Sequence, residues 1–281
     1  MQPWPSTGDT LVFDLGLHRA EDTAYYLRLG CRVVAVEADV GLAAQARERF
    51  RAEIAAGRLV ILNRAVTGES GESVDFHVSD YTMWSSADVG VASREQTRTR
   101  TIRVAAITLP ELLMSFGLPK YCKIDLEGSD ADVIAALAEY RVSRPFYLSA
   151  ETECAGDEPL DDDGALRVLM ELARAGYRRF KLVDQETLIV LGDDLNFYPR
   201  RRDAGWRGEL RRRRESLRRK LLGRRAGYRF PPGASGPFGH ALGGRWVSFD
   251  RACGLLLAHR AAFFAGDAPA HGFWCDWHAS L

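Results

Sequence analysis

The residues able to do chemistry recur in the first half of the chain, each where a short apolar run ends. Asp14-Leu15-Gly16 follows Leu11-Val12-Phe13, and Glu37 closes the run from Cys31 to Val36. Asp125 closes Tyr121-Cys122-Lys123-Ile124, and Glu151 closes Pro145 to Ala150. Short apolar runs alternating with stretches of helical periodicity read as parallel strands joined by crossover helices. In such open sheets ligands bind beyond the carboxyl ends of the strands, where the strand order reverses. The acids at these four ends are therefore expected to line one crevice. Glu37 stands where a carboxylate accepts hydrogen bonds from the hydroxyls of a ribose. Gly16 stands where a missing Cβ lets backbone approach a ligand.

The first loop, Asp14-Leu15-Gly16-Leu17-His18-Arg19-Ala20, has one glycine and a leading acid. A Gly-x-Gly-x-x-Gly loop, which seats a pyrophosphate on a helix N-terminus, is absent there. A carboxylate in this position repels phosphate but receives the ammonium of an amino-acid moiety, directly or through water. That favours S-adenosylmethionine over a nicotinamide dinucleotide and leaves an NAD-linked oxidoreductase as a weaker alternative. Alone, Asp14-x-Gly is an ordinary strand-to-helix turn; the joint spacing of Asp14, Glu37 and Asp125 outweighs that reading.

These residues need a scaffold. Strands are predicted at Leu11–Asp14, Cys31–Val36, Leu59–Asn63, Tyr121–Asp125, Pro145–Ala150 and Tyr177–Val183. Helices are predicted at Ala20–Leu29, Val40–Ile54, Leu109–Phe116, Asp130–Tyr140 and Leu166–Gly176. Polar–apolar alternation over Ser73–Val78 and Thr101–Ile107 predicts an antiparallel excursion with one exposed face. After Asp184 the alternation stops, and helical patterns at Gly208–Leu222 and Phe249–Phe264 suggest an insertion before a closing strand in Gly272–Trp277.

Val12-Phe13-Asp14-Leu15-Gly16 and Tyr121-Cys122-Lys123-Ile124-Asp125-Leu126-Glu127-Gly128 resemble the paired signatures of the FkbM family of methyltransferases. Asp22 to Leu27, Val33 to Ala38, Trp84-Ser85-Ser86, Ser235 to Gly239 and Asp276 to Ala279 are similar to a bacterial branch of it. The resemblance is dense from Leu11 to Glu151 and patchy beyond, and the Lys-Ile-Asp-x-Glu-Gly run is its most specific part. It implies an α/β, Rossmann-like class I methyltransferase fold: a mostly parallel seven-stranded sheet with helices on both faces. The expected division is a core over 1–185, a basic helical cap over 186–270 and a closing strand over 271–281. The resemblance implies that Asp14, Gly16 and Glu37 hold S-adenosylmethionine, with Asp125 near its methionine end. The expected contacts also include Leu17, His18, Thr23, Ala38, Ala65 and Ser86. The chain departs from the family in that loop, with Ala20 where a second glycine is usual and Arg19 where asparagine is frequent.

The family implies methyl transfer to oxygen, on a hydroxyl of a sugar, glycan or secondary metabolite. A hydroxyl is a poor nucleophile at neutral pH, so a base or a metal ion must activate it. Asp125, Glu127 and Glu151 are the expected catalytic residues, with His18 and His271 also within reach of the crevice. Asp125 and Glu151 could instead share magnesium, which favours carboxylate oxygens. Against these roles, Glu127-Gly128 also reads as a charged start to the next helix, and Glu151 beside Glu153 as a solvated edge. His278 reads as structural.

Lys+Arg and Asp+Glu balance at 38 each, so net charge points to neither nucleic acid nor membrane. The balance hides an asymmetry, because residues 200–229 are nearly half basic. Leu210, Leu217 and Leu221 give that segment helical periodicity. It is either a solvated arginine-rich helix or a docking surface for an anionic acceptor or a membrane surface. Nucleic acid is disfavoured, since stacking aromatics are not interleaved with the arginines. A silent relative whose basic cap binds an anionic partner is the main alternative function. Five scattered cysteines without a Cys-x-x-Cys pair suggest a reducing, cytoplasmic setting. No signal peptide and no membrane span is expected.

Overall fold

The computed structural model describes residues 10–139, 143–152, 161–195, 227–231, 233–265 and 273–281, with scattered positions between 206 and 221. The chain opens with β1 (Leu11–Leu15), α1 (Glu21–Arg28) and β2 (Arg32–Glu37). α2 (Val40–Arg49), α3 (Arg51–Ala55) and β3 (Leu59–Asn63) follow. The helix expected over Val40–Ile54 is thus two helices, because Phe50 leaves helical geometry at φ −108° and ψ 30°. The Asp39 carboxylate caps α2 by accepting from the Gly41 and Leu42 amides.

The excursion comprises β4 (Ala65–Thr67), β5 (Ser73–Ser79), α4 (Val89–Ala92) and β6 (Thr99–Thr108). β5 and β6 pair antiparallel, as the alternation predicts, while β4 pairs parallel with β6 to complete a separate three-stranded sheet. α5 (Leu109–Phe116) begins with a reciprocal capping box between Thr108 and Glu111. β7 (Tyr121–Ile124), α6 (Asp130–Glu139), β8 (Tyr147–Glu151), α7 (Asp162–Arg174), β9 (Arg179–Asp184) and β10 (Ile189–Val190) continue the main layer. α8 (Phe249–Phe264) and β11 (Cys275–Ser280) complete it.

The main sheet has the order β10-β9-β11-β8-β7-β1-β2-β3. β3, β2, β1, β7 and β8 run parallel, and β11 inserts antiparallel between β8 and β9. From β1 the chain winds outward to β3, then returns to place β7 on the other side of β1. The switch in strand order therefore lies between β1 and β7. This is a class I methyltransferase-like fold, with a correction: the sheet is mixed and eight-stranded. The additional strand, β10, turns back onto β9 through a tight turn in which the Asp184 carboxylate accepts from the Thr187 amide. Two residues are too few to show alternation in a sequence.

The alternation of β1 and β7 sets the chemistry. Leu11, Phe13, Leu15, Cys122 and Ile124 point into the core under α5, α6 and α7, and Val12 and Tyr121 into the core under α1. Asp14 and Lys123 fall on the second face, and they are register partners.

Candidate active site

A crevice opens beyond the carboxyl ends of β1, β2 and β7. Of the expected cofactor contacts, Gly16, Leu17, His18, Glu37, Ala38, Ala65 and Asp125 line it. Leu42, Val66 and Phe76 add an apolar wall. Glu37 is buried at the end of β2, its Oε2 accepting from the His18 amide (2.7 Å) and its Oε1 from the Asp39 amide (2.8 Å). Burial pushes its carboxyl up to about 7, against those hydrogen bonds. Each oxygen keeps a further lone pair for a hydroxyl in the crevice.

Asp14 and Thr23 do not line the crevice. They lie behind it, fully buried, with the Thr23 hydroxyl donating to Asp14 Oδ2 at 2.6 Å. The ammonium group beside Asp14 belongs to the protein itself. Lys123 Nζ lies 3.4 Å from Asp14 Oδ1, 3.2 Å from Asp125 Oδ2 and 3.9 Å from Asp22 Oδ2, and donates to the Gly16 carbonyl at 3.0 Å. Lys123 was legible as a charge in an apolar strand, yet sequence reasoning gave it no role. Burial raises the Asp14 carboxyl and lifts Asp22 to about 7, while the lysine opposes both shifts. Lys123 stays charged because the three acids outweigh its own desolvation and raise its pKa.

Gly16 adopts φ +84°, and a Cβ there would meet the Asp125 carbonyl oxygen at 1.8 Å. Gly16 lines the crevice, and its missing Cβ also lets the loops after β1 and β7 cross. At Ala20, where the family favours glycine, φ is +60°, in the left-handed region that disfavours a Cβ. Arg19 is exposed, and its carbonyl accepts from Arg49 Nη1 at 2.9 Å.

At the β7–β8 end, carboxylate oxygens of Asp125, Glu127 and Glu151 lie within 4.8 Å of one another. The turn carrying Glu127 is unusual, with φ +51° at Glu127 and +99° at Gly128. Two neighbours hold it. Asp130, at the start of α6, accepts from the Leu126 amide at 3.0 Å and the Glu151 amide at 3.2 Å, tying the end of β7 to β8. Ser86 donates to the Glu127 carbonyl at 2.7 Å. Ser86 is therefore buried behind the turn, while Ser85 and Ala87 line the crevice. Burial and the neighbouring Asp125 push Glu127 up to about 8, and burial with Glu127 pushes Glu151 well above its usual range. Arg94 stands 3.9 Å from Glu127 and offsets part of that shift.

Thr82, Met83, Gly233 and Trp274, which the sequence did not single out, also line the crevice. His18 Nε2 is 3.0 Å from Thr82 Oγ1. Asp22 Oδ2 accepts from the Ser235 amide at 2.9 Å and Asp22 Oδ1 from the Gly236 amide at 3.2 Å. His278 is buried on β11 and stacks on Tyr121, away from the crevice. His271, Glu153 and most of 200–229 lie outside the described residues.

The donor set fits S-adenosylmethionine: a buried acid with free lone pairs for ribose, an apolar wall for a purine, and Asp125 for an ammonium. The fold resembles several solved methyltransferases at low identity. A SAM-dependent methyltransferase from Geobacter sulfurreducens, in complex with S-adenosyl-L-homocysteine, is 12% identical with a TM-score of 0.35, covering 100% of this chain and 84% of that one. The Haemonchus contortus phosphoethanolamine N-methyltransferase 2 is 12% identical with a TM-score of 0.38, covering 98% and 49%. Coclaurine N-methyltransferase, bound to N-methylheliamine and SAH, is 10% identical with a TM-score of 0.36, covering 97% and 67%. Among curated proteins none matches. The model of the methyltransferase FkbM domain matches residues 14–179, more than half of the chain, on the strands that build the crevice. By that match the chain belongs to the FkbM family of S-adenosylmethionine-dependent methyltransferases.

Proposed function

We propose that the protein transfers a methyl group from S-adenosylmethionine to a hydroxyl of a sugar, glycan or secondary metabolite. The observation that carries this reading is the group of Asp125, Glu127 and Glu151, of which Asp125 and Glu127 line the crevice and Glu151 lies beside them. The cofactor supplies an electrophilic methyl group on a sulfonium. Glu37 holds the ribose hydroxyls, and Asp125 receives the ammonium of the methionine part. Glu127 or Glu151 would take the hydroxyl proton as the O–C bond forms and the cofactor's S–CH3 bond breaks, with S-adenosylhomocysteine leaving. A carboxylate whose pKa is raised toward neutrality is a better base for this step than an ordinary one. Leu17, Leu42 and Phe76 keep water from the adenosine side.

A second reading of the same acids is magnesium held by Asp125 and Glu151, with Glu127 as a third ligand. Support comes from their mutual spacing and from the preference of magnesium for carboxylates. The segment from 186 to 270 reads as a cap, supported by the Asp22 bonds to Ser235 and Gly236. Since the inner crevice is acidic, an anionic part of the acceptor would bind outside it, and the arginine-rich run 200–229 offers a basic partner for such a group or for an anionic membrane surface. Among the described residues no helix is long and apolar enough to cross a membrane. Cys122 and Cys253 are free thiols, which supports a reducing compartment such as the cytoplasm.

Calorimetric titration with S-adenosylhomocysteine is the first test. Binding that weakens by about 1–3 kcal/mol in Glu37→Ala supports the cofactor site. Labelled-methyl transfer to hydroxyl acceptors, with magnesium or EDTA, then tests the oxygen preference and separates base from metal. No binding under any condition overturns the reading in favour of a silent relative with a basic cap.

A further inference from the structure

We propose that the acceptor carries an ammonium group beside the hydroxyl that is methylated, and that Asp276, Glu151 and Glu127 recognise it. The inference rests on the methyltransferase reading and narrows its substrate class. It starts from a residue that reading does not use. Asp276 is 2% exposed on β11, and its Oδ2 is buried without a hydrogen-bond partner. In the antiparallel ladder Asp276 stands directly opposite Glu151, so both side chains project from the same face of the sheet. Two residues earlier, Trp274 lines the crevice. The orphaned oxygen therefore lies on the sheet face that Glu151, a member of the acid group, also occupies.

The charges there do not balance. Lys123 is committed to Asp14, Asp22 and Asp125. Arg94 approaches Glu127 at 3.9 Å. Among the described residues neither Glu151 nor Asp276 has an ion-pair partner. The cofactor's own ammonium falls to Asp125, which leaves the β8–β11 side with acids and no cation. Burying such groups unpaired is costly, and a neutral hydroxyl can donate to them but cannot balance their charge. An ammonium does both, through charge-assisted hydrogen bonds.

The test uses the full chain saturated with S-adenosylhomocysteine, with ethanolamine and its uncharged isostere ethylene glycol as probes. Thermal shift and calorimetry should show ethanolamine binding at least about tenfold more tightly, equivalent to 1.4 kcal/mol. Asp276→Asn should remove that preference and keep S-adenosylhomocysteine affinity. Glu151→Gln serves as a second variant should the first fail to fold. Equal binding of the two probes, binding of neither, or displacement of ethanolamine by lower concentrations of magnesium would each overturn the proposal. Failure of S-adenosylhomocysteine itself to bind would instead count against the methyltransferase reading.

Discussion

A β-carbon built on Gly16 falls 1.8 Å from the carbonyl oxygen of Asp125, so the loops after β1 and β7 touch backbone to backbone. Nothing flexible can move aside, and φ of +84° adds conformational strain for any other residue. Gly16→Ala should lower stability by about 2–4 kcal/mol, at the upper end for single substitutions. Chemical denaturation measures this directly. A loss below about 0.5 kcal/mol, typical of an unconstrained surface site, would show that the loops have room to separate.

Lys123 compensates three buried or partly buried acids. Its replacement by methionine keeps much of the volume and leaves Asp14, Asp22 and Asp125 facing one another. Removing one partner of a buried ion pair costs about 3–5 kcal/mol. The penalty should depend on pH, because without the ammonium the acids escape repulsion by taking up protons. The stability gap between wild type and Lys123→Met should therefore narrow as pH falls from 8 to about 5.5. A gap that stays constant across this range would show that the lysine acts through packing alone.

The sequence carried the scaffold well where a strand is buried on both faces, as in β1, β2, β7 and β8. It also carried the acids that end those strands, because an acid after an apolar run breaks the pattern visibly. Three things escaped. β10 is two residues long, and β4 is three, too short for a period to register. The Asp14–Lys123 pairing depends on strand order, which brings together residues 109 positions apart that local patterning cannot relate. The roles of Asp276 and Asp22 arise from β11 inserting beside β8 and from backbone amides at Ser235 and Gly236, and amides leave no mark in residue type. Thr23 and Ser86 were legible as polar residues near the site, but the side on which they lie needed the fold.

Glu37 should couple cofactor affinity to pH. Its folded carboxyl sits at about 7 against an ordinary 4.5, so between these values the folded protein holds a proton that the unfolded chain has released. Stability from this group is therefore highest at low pH and is lost as pH rises from 4.5 to 7, at about 1.4 kcal/mol per pH unit. Glu37→Gln should make the stability curve less steeply falling between pH 5 and 7. Ribose hydroxyls donate best to the ionised form, so wild-type affinity for S-adenosylhomocysteine should rise between pH 6 and 8, and the variant should show little such rise. Superimposable pH curves for wild type and variant would remove Glu37 from the site.

Asp22 couples the first helix to the segment that follows the basic run. Its two oxygens each accept one backbone N–H, from Ser235 and Gly236. Asparagine offers a single acceptor oxygen and turns an N–H donor toward the other amide, so Asp22→Asn should break one bond and oppose the second. A buried hydrogen bond lost in this way costs about 1–3 kcal/mol. Hydrogen exchange at the Ser235 and Gly236 amides should accelerate by about tenfold or more, since each 1.4 kcal/mol is tenfold in an opening equilibrium. The amides of β1 and β2 should stay protected, because their ladder does not depend on Asp22. Gly233 lies on the crevice rim two residues before Ser235, so the same variant should also release S-adenosylhomocysteine faster. Unchanged exchange at both amides would mean that Ser235 and Gly236 are held through the contacts of Phe238 with Tyr26 and Tyr121 rather than by this carboxylate.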